Sequence, residues 1–295
     1  MLGSQSSGKS SLLEMILGTK CFPTAAGICT RVPILLQLKN CPNCSAHPEC
    51  SECSSCTVND QRMARESVRD EVKRIMEHLV GARDDVMDTT ITIEMSRPDV
   101  PSLTLVDLPG MVDSATDSQQ ADFPTKTKNL ARKYAEAKNA IILAVLEASQ
   151  QDNVGPTMDL VKELDPKGER TVGVFTKVDA FDPQKMDHKM ILDKISEKIK
   201  SPKFSFLERN GYFAVWAGRN QADIDRGNVT LEQGILRAND FFANGLEMCP
   251  EHRPALENRL GVIPLREKLH MILAGNIKSF TKELLRECRP LSRAV

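Results

Sequence analysis

Near the start of the sequence stands Gly3-Ser4-Gln5-Ser6-Ser7-Gly8-Lys9-Ser10, a glycine, four residues, then Gly-Lys-Ser. That spacing suits phosphate chemistry. Backbone N–H groups in such a loop curl around phosphate oxygens, and its glycines permit an approach that a side chain would block. Lys9 has the reach for the outer phosphates, and the Ser10 hydroxyl is placed to ligate Mg²⁺. The residues from Ser11 to Leu17 suit a helix whose positive N-terminal end would face the anion.

Other stretches extend the same chemistry. Thr30, in Gly27-Ile28-Cys29-Thr30-Arg31, can close over a γ-phosphate and complete the Mg²⁺ shell. Asp107-Leu108-Pro109-Gly110 ends an apolar run, so Asp107 would hold Mg²⁺ through water while the Gly110 N–H senses the γ-phosphate. Thr176-Lys177-Val178-Asp179 selects the base. Its Asp179 carboxylate can accept paired hydrogen bonds from guanine N1–H and the 2-amino group, donors that adenine lacks there. Lys177 can lay its stem over the base plane. The nucleotide expected is therefore GTP, with GDP as product. Further base contacts are expected in Ala217-Gly218-Arg219-Asn220-Gln221, after a strand from Tyr212 to Trp216.

The cysteines pose a separate question. Cys41, Cys44, Cys50, Cys53 and Cys56 form knuckles that could close a tetrahedral Zn²⁺ site, although only five residues separate the two pairs. A reduced, flexible surface insertion over about residues 39–60 is the other reading, and neither makes the segment catalytic. Nine cysteines in a chain of this kind argue for reduced thiols or metal ligands rather than a disulfide scaffold.

The chain has 295 residues, 41% of them hydrophobic and 27% charged, with a formal net charge of −1. That balance fits a soluble globular protein and gives no overall footprint for nucleic acid or anionic membrane. A cytosolic protein is expected, since no apolar run approaches membrane-spanning length and the N-terminus is committed to the phosphate loop.

These groups need an α/β frame of mostly parallel strands flanked by helices. Strands are expected at Val32–Leu38, Thr90–Met95, Leu103–Val106, Ala140–Val145, Thr171–Phe175 and Tyr212–Trp216, the second and third as an adjacent pair. Helices are expected from the Asn59 or Asp60 cap through Val80, near Thr157–Leu164, around Leu231–Phe242 and over Pro264–Glu287. The last should pack partly on something outside this sequence. Because only Met1 and Leu2 precede Gly3, the strand that leads into such a loop is expected to be missing. The sequence then reads as a fragment, or as one begun at the wrong methionine, that folds poorly as written.

Taken in order, these motifs resemble the GTPase domain of the dynamin superfamily. Carrying the resemblance are Gly3 through Ser11, Gly27 through Arg31, Leu103 through Gly110, Ile142 through Val145, Leu164 through Asp179, and Gly211 through Asp225. The resemblance implies a dynamin-type domain over residues 1–275 and, from 276, a helix leading toward a stalk. It implies GTP hydrolysis in which Gln5 orients the attacking water, Ser6 helps hold a monovalent cation (K⁺ or Na⁺), and Thr30 ligates Mg²⁺. It also implies self-association through GTPase domains, Asp182 as the second acid of the base pocket, and coupling to membrane fission, fusion or organelle division, with microtubule binding in the family's repertoire. Membrane contact would come only through regions absent here. The loop Gly218-Arg219-Asn220-Gln221 departs from the family pattern, as does the cysteine-rich insertion. A non-catalytic GTPase-like module acting through protein contacts is the alternative.

Overall fold

A computed structural model describes residues 1–23, 30–41, 55–81, 85–97, 102–116, 119–137, 139–150, 155–182, 185–200, 206–207, 209–218 and 229–288. Two sheets lie edge to edge. One has the order β1-β7-β8-β9, from Leu2–Gly3 (β1), Ile142–Glu147 (β7), Thr171–Thr176 (β8) and Tyr212–Ala214 (β9), all parallel. The other has the order β4-β3-β5-β2-β6, from Ile34–Asn40 (β2), Ser55–Val58 (β3), Gln61–Ala64 (β4), Ile91–Arg97 (β5) and Leu103–Asp107 (β6). They meet where Met1 N donates to Val106 O at 2.7 Å and Ser4 bridges Met111 in parallel.

Alternation along β7 explains the layering. Ile142 and Ala144 enter one core with Leu160 and Ile191, whereas Leu143 and Val145 enter another with Leu12, Val172 and Leu265. A parallel strand covered on both faces needs apolar residues at every position, which is why β7 reads as an unbroken run. Helices α3 (Phe123–Ala135), α4 (Gly155–Leu164) and α5 (His188–Ile199) supply the first cover. The second comes from α1 (Lys9–Leu17), α6 (Leu231–Met248) and the long α8 (Val262–Cys288), which follows the short α7 (Arg253–Leu256). A third core joins α1 and α2 (Val68–Val80) to the five-stranded sheet. Among the described residues no helix is long and apolar enough to cross a membrane.

Several expectations are corrected. The strand before the phosphate loop is not wholly missing: Leu2 and Gly3 pair with Ala144 and Val145, because both are buried and in register with β7. β5 and β6 are not neighbours, since β2 lies between them, parallel to β5 and antiparallel to β6. Asn59 and Asp60 are not helix caps. Both hold positive φ (46° and 66°) and turn the β3–β4 hairpin, and Met63 lies on β4. Asn and Asp tolerate the left-handed region that a tight hairpin needs, so the same residue types serve caps and turns. The helix begins only at Val68.

Two of the five cysteines of the zinc reading fall within the described residues. Cys56 on β3 is buried at 3% exposure in the core beneath the five-stranded sheet and is a free thiol, as are Cys21 and Cys249, whereas Cys41 is disulfide-bonded. Among the described residues no group of three or more His, Cys, Asp or Glu could hold a metal. Cys44, Cys50 and Cys53 lie outside the described residues.

Candidate active site

The phosphate loop spans the gap from β1 to α1 and is shaped by backbone contacts. Gln5 N donates to Met111 O at 3.1 Å, Met111 N to Gly3 O at 3.1 Å, and Ser7 N to Ser4 O at 3.2 Å. Ser6 and Gly8 hold φ of 61° and 85°, so the chain curls and leaves Gly8 as the residue capping α1. A Cβ on Gly3 would lie 2.6 Å from Ser7 Oγ and 2.7 Å from Val145 O. Glycine is required there for packing as well as for phosphate access.

Lys9 is buried at 6% exposure, and its Nζ donates to Gly3 O at 3.1 Å and to Ser4 O at 2.9 Å. Its ammonium is thus folded back over the loop, close to the place an anion's outer oxygens would take. From β8, Thr176 Oγ1 donates to Ser7 O at 2.6 Å, a contact that composition and spacing did not flag. It ties the base-selecting segment directly to the phosphate loop.

At the far end of the loop three oxygen groups converge. Ser10 Oγ donates to Asp107 Oδ2 at 2.7 Å, Thr30 Oγ1 donates to the same oxygen at 3.0 Å, and the two hydroxyls lie 3.3 Å apart. Asp107 is fully buried at the end of β6, and its other oxygen, Oδ1, accepts no hydrogen bond among the described residues. An unsatisfied buried carboxylate oxygen beside two hydroxyls suits a hard cation such as Mg²⁺, which takes oxygen ligands and retains water. Gly110 follows closely. A Cβ there would lie 2.5 Å from Gln5 Cα, so the residue after Pro109 packs on the loop backbone.

Residues before and after Thr30 are held by neighbouring elements. Glu14, buried on α1, accepts from Cys21 N at 3.0 Å, Phe22 N at 3.1 Å and Arg69 of α2. Arg31 O accepts from Met87 N at 3.1 Å, and Arg31 N donates to Met76 Sδ.

Asp179 lies on the 3₁₀ turn Val178–Phe181 that follows β8. Burial pushes its carboxyl above the ordinary aspartate value, opposed by a backbone hydrogen bond and the Lys177 charge. Lys177 holds a left-handed backbone, φ 55° and ψ 43°. The Asp182 oxygens accept from Lys185 N at 3.2 Å and Asp187 N at 3.0 Å, so this side chain organises the loop before α5. Arg219, Asn220 and Gln221 lie outside the described residues, as do Gly27, Ile28 and Cys29.

The profile of the Dynamin family matches residues 1–178, more than half of the chain. The chain belongs to the dynamin family. Phragmoplastin DRP1A of Arabidopsis thaliana is 33% identical over 283 residues, which is 95% of this chain and 42% of that protein. Interferon-induced GTP-binding protein Mx1 of Canis lupus familiaris is 32% identical over 94% of this chain and 40% of its own length. Dynamin-1 of Rattus norvegicus is 30% identical over 94% of this chain and 30% of its own. This dynamin-family chain therefore spans less than half the length of these relatives, and the α/β architecture described above is that of a dynamin-type P-loop GTPase domain.

Proposed function

We propose that the chain binds GTP with Mg²⁺ and hydrolyses it to GDP and phosphate. The observation that carries this reading is the convergence of Ser10 Oγ and Thr30 Oγ1 on Asp107 Oδ2, with Asp107 Oδ1 left unsatisfied, at the mouth of the phosphate loop. Lys9 would exchange the Gly3 and Ser4 carbonyls for the β- and γ-phosphate oxygens. Ser10 and Thr30 would ligate Mg²⁺ directly and Asp107 through water. When bound, the metal neutralises phosphate charge as it develops in the transition state. Gln5 would orient the attacking water, and Ser6, exposed on its left-handed backbone, would help hold a monovalent cation. Gly110 N–H would face the γ-phosphate. Thr176, Lys177, Asp179 and Asp182 would form the guanine side, completed by Arg219, Asn220 and Gln221.

Self-association of GTPase domains would order Gln5, Ser6 and Thr30 and raise turnover, and coupling of that turnover to membrane remodelling is the further role we propose. Phosphate release from GTP across a protein concentration series, in potassium and in choline buffer, tests the self-association and the monovalent cation. Turnover that rises faster than linearly with protein and needs potassium supports the dimerising, cation-assisted mechanism. Linear turnover indifferent to the cation contradicts it.

A further inference from the structure

Glu147, the last residue of β7, takes no part in the phosphate or Mg²⁺ contacts, yet its carboxylate is held at both oxygens. Oε1 accepts from Ser149 Oγ at 3.0 Å, and Oε2 accepts from Lys177 Nζ at 3.0 Å. The turn carrying it is itself anchored. Gln150 N donates to Glu147 O at 3.2 Å, Ala148 N donates to Thr176 O at 2.8 Å, and Lys198 Nζ of α5 donates to Gln150 O at 2.7 Å. Lys177, on its left-handed backbone, thus sends its ammonium back toward β7. Its other acidic neighbour is Asp179, two residues on, whose carboxyl senses both the Lys177 and the Glu147 charges.

We propose that Glu147 is a positioning residue for guanine-nucleotide binding. It anchors the Lys177 ammonium so that the lysine stem stays laid out as one wall of the base slot and the ammonium is kept off Asp179. The chemistry is a competition for one carboxylate. Guanine needs the Asp179 oxygens for its N1–H and 2-amino donors, and an untethered lysine would occupy them first. This inference rests on the reading of Lys177 and Asp179 as base contacts.

Affinity for GDP and for GTP, read with fluorescent analogues, tests it in wild type, Glu147→Ala, Lys177→Met and the double variant. Glu147→Ala should weaken both nucleotides equally, by about three- to tenfold, the range of a partly exposed ion pair plus the competition it prevents. KM for GTP should rise by the same factor with kcat unchanged and the melting temperature within about 2 °C of wild type. Raised salt should shrink the loss, because the stray lysine–Asp179 pair is screened. In the Lys177→Met background Glu147→Ala should have no further effect, since no ammonium remains to tether. Equal losses in both backgrounds, a loss confined to GTP, or unchanged affinity would overturn the proposal. A wild type that binds no guanine nucleotide would instead overturn the base-pocket reading beneath it.

Discussion

A half-buried carboxyl group is a cost to the folded protein unless something pairs with it, and Asp179, the proposed guanine contact, is half-buried. Burial favours its neutral form, so the folded state keeps this proton to higher pH than the unfolded chain does. Stability from this site is therefore lost as pH rises from the ordinary aspartate value through the raised one. Asp179→Asn should raise the melting temperature of the nucleotide-free protein by about 1–3 °C while weakening GTP at least about 100-fold and gaining affinity for XTP, whose 2-oxo group accepts from the new amide. Paired thermal melts and nucleotide titrations measure the trade; a variant that keeps its GTP affinity contradicts the assigned role. Lys9, Ser10, Asp107 and Asp179 could be singled out from the sequence because the motifs that hold them are short local spacings, and the structure brings Ser10 and Asp107 together. Glu147 and the Thr176–Ser7 contact were not, since a carboxylate or hydroxyl at a strand end carries no signal until the neighbouring strand is in place.

Between elements, the connections depend on a few polar side chains. Arg170, just before β8, donates through one nitrogen to Ala135 O, Ala137 O and Ala140 O and through the other to Leu164 O. Ala135 and Leu164 end α3 and α4, where helix carbonyls have no internal partner, and Ala137 and Ala140 lie in the connection from α3 to β7. Arg170→Met should cost about 2–3 kcal/mol, seen as a lower urea midpoint, and a midpoint unchanged from wild type would show that water serves those carbonyls equally well. Gly110→Ala tests the seam between β6 and the phosphate loop: a Cβ 2.5 Å from Gln5 Cα must displace the loop, so GTP affinity should fall with little change in the melt. Element identity was largely legible from apolar periodicity. Pairing was not: β2 separates β5 from β6 through contacts that no local pattern encodes, and Asn59-Asp60 could equally begin a helix or turn a hairpin.

For the whole molecule, the junction of the two sheets holds a cavity. It measures about 340 Å³ and lies between β6 and β7, lined by Leu103, Leu105, Ile142 and, from α8, Leu269 and Leu273. The Met1 amine opens beside it, and burial lowers its pKa from 8.0 to about 6. The unfolded chain then binds a proton that the folded chain refuses, so stability is lost as pH falls from about 8 toward 6. The fold class was thus readable from motif order, while β1 became visible only through its pairing with β7. The central claim is a site built for GTP, and the most direct measurement is Mg²⁺-dependent phosphate release from GTP and ATP, side by side, in wild type and Lys9→Ala. The account predicts turnover of GTP, little of ATP, and a loss of about 100-fold or more in the variant. Equal use of both nucleotides, or turnover that survives Lys9→Ala, would contradict it.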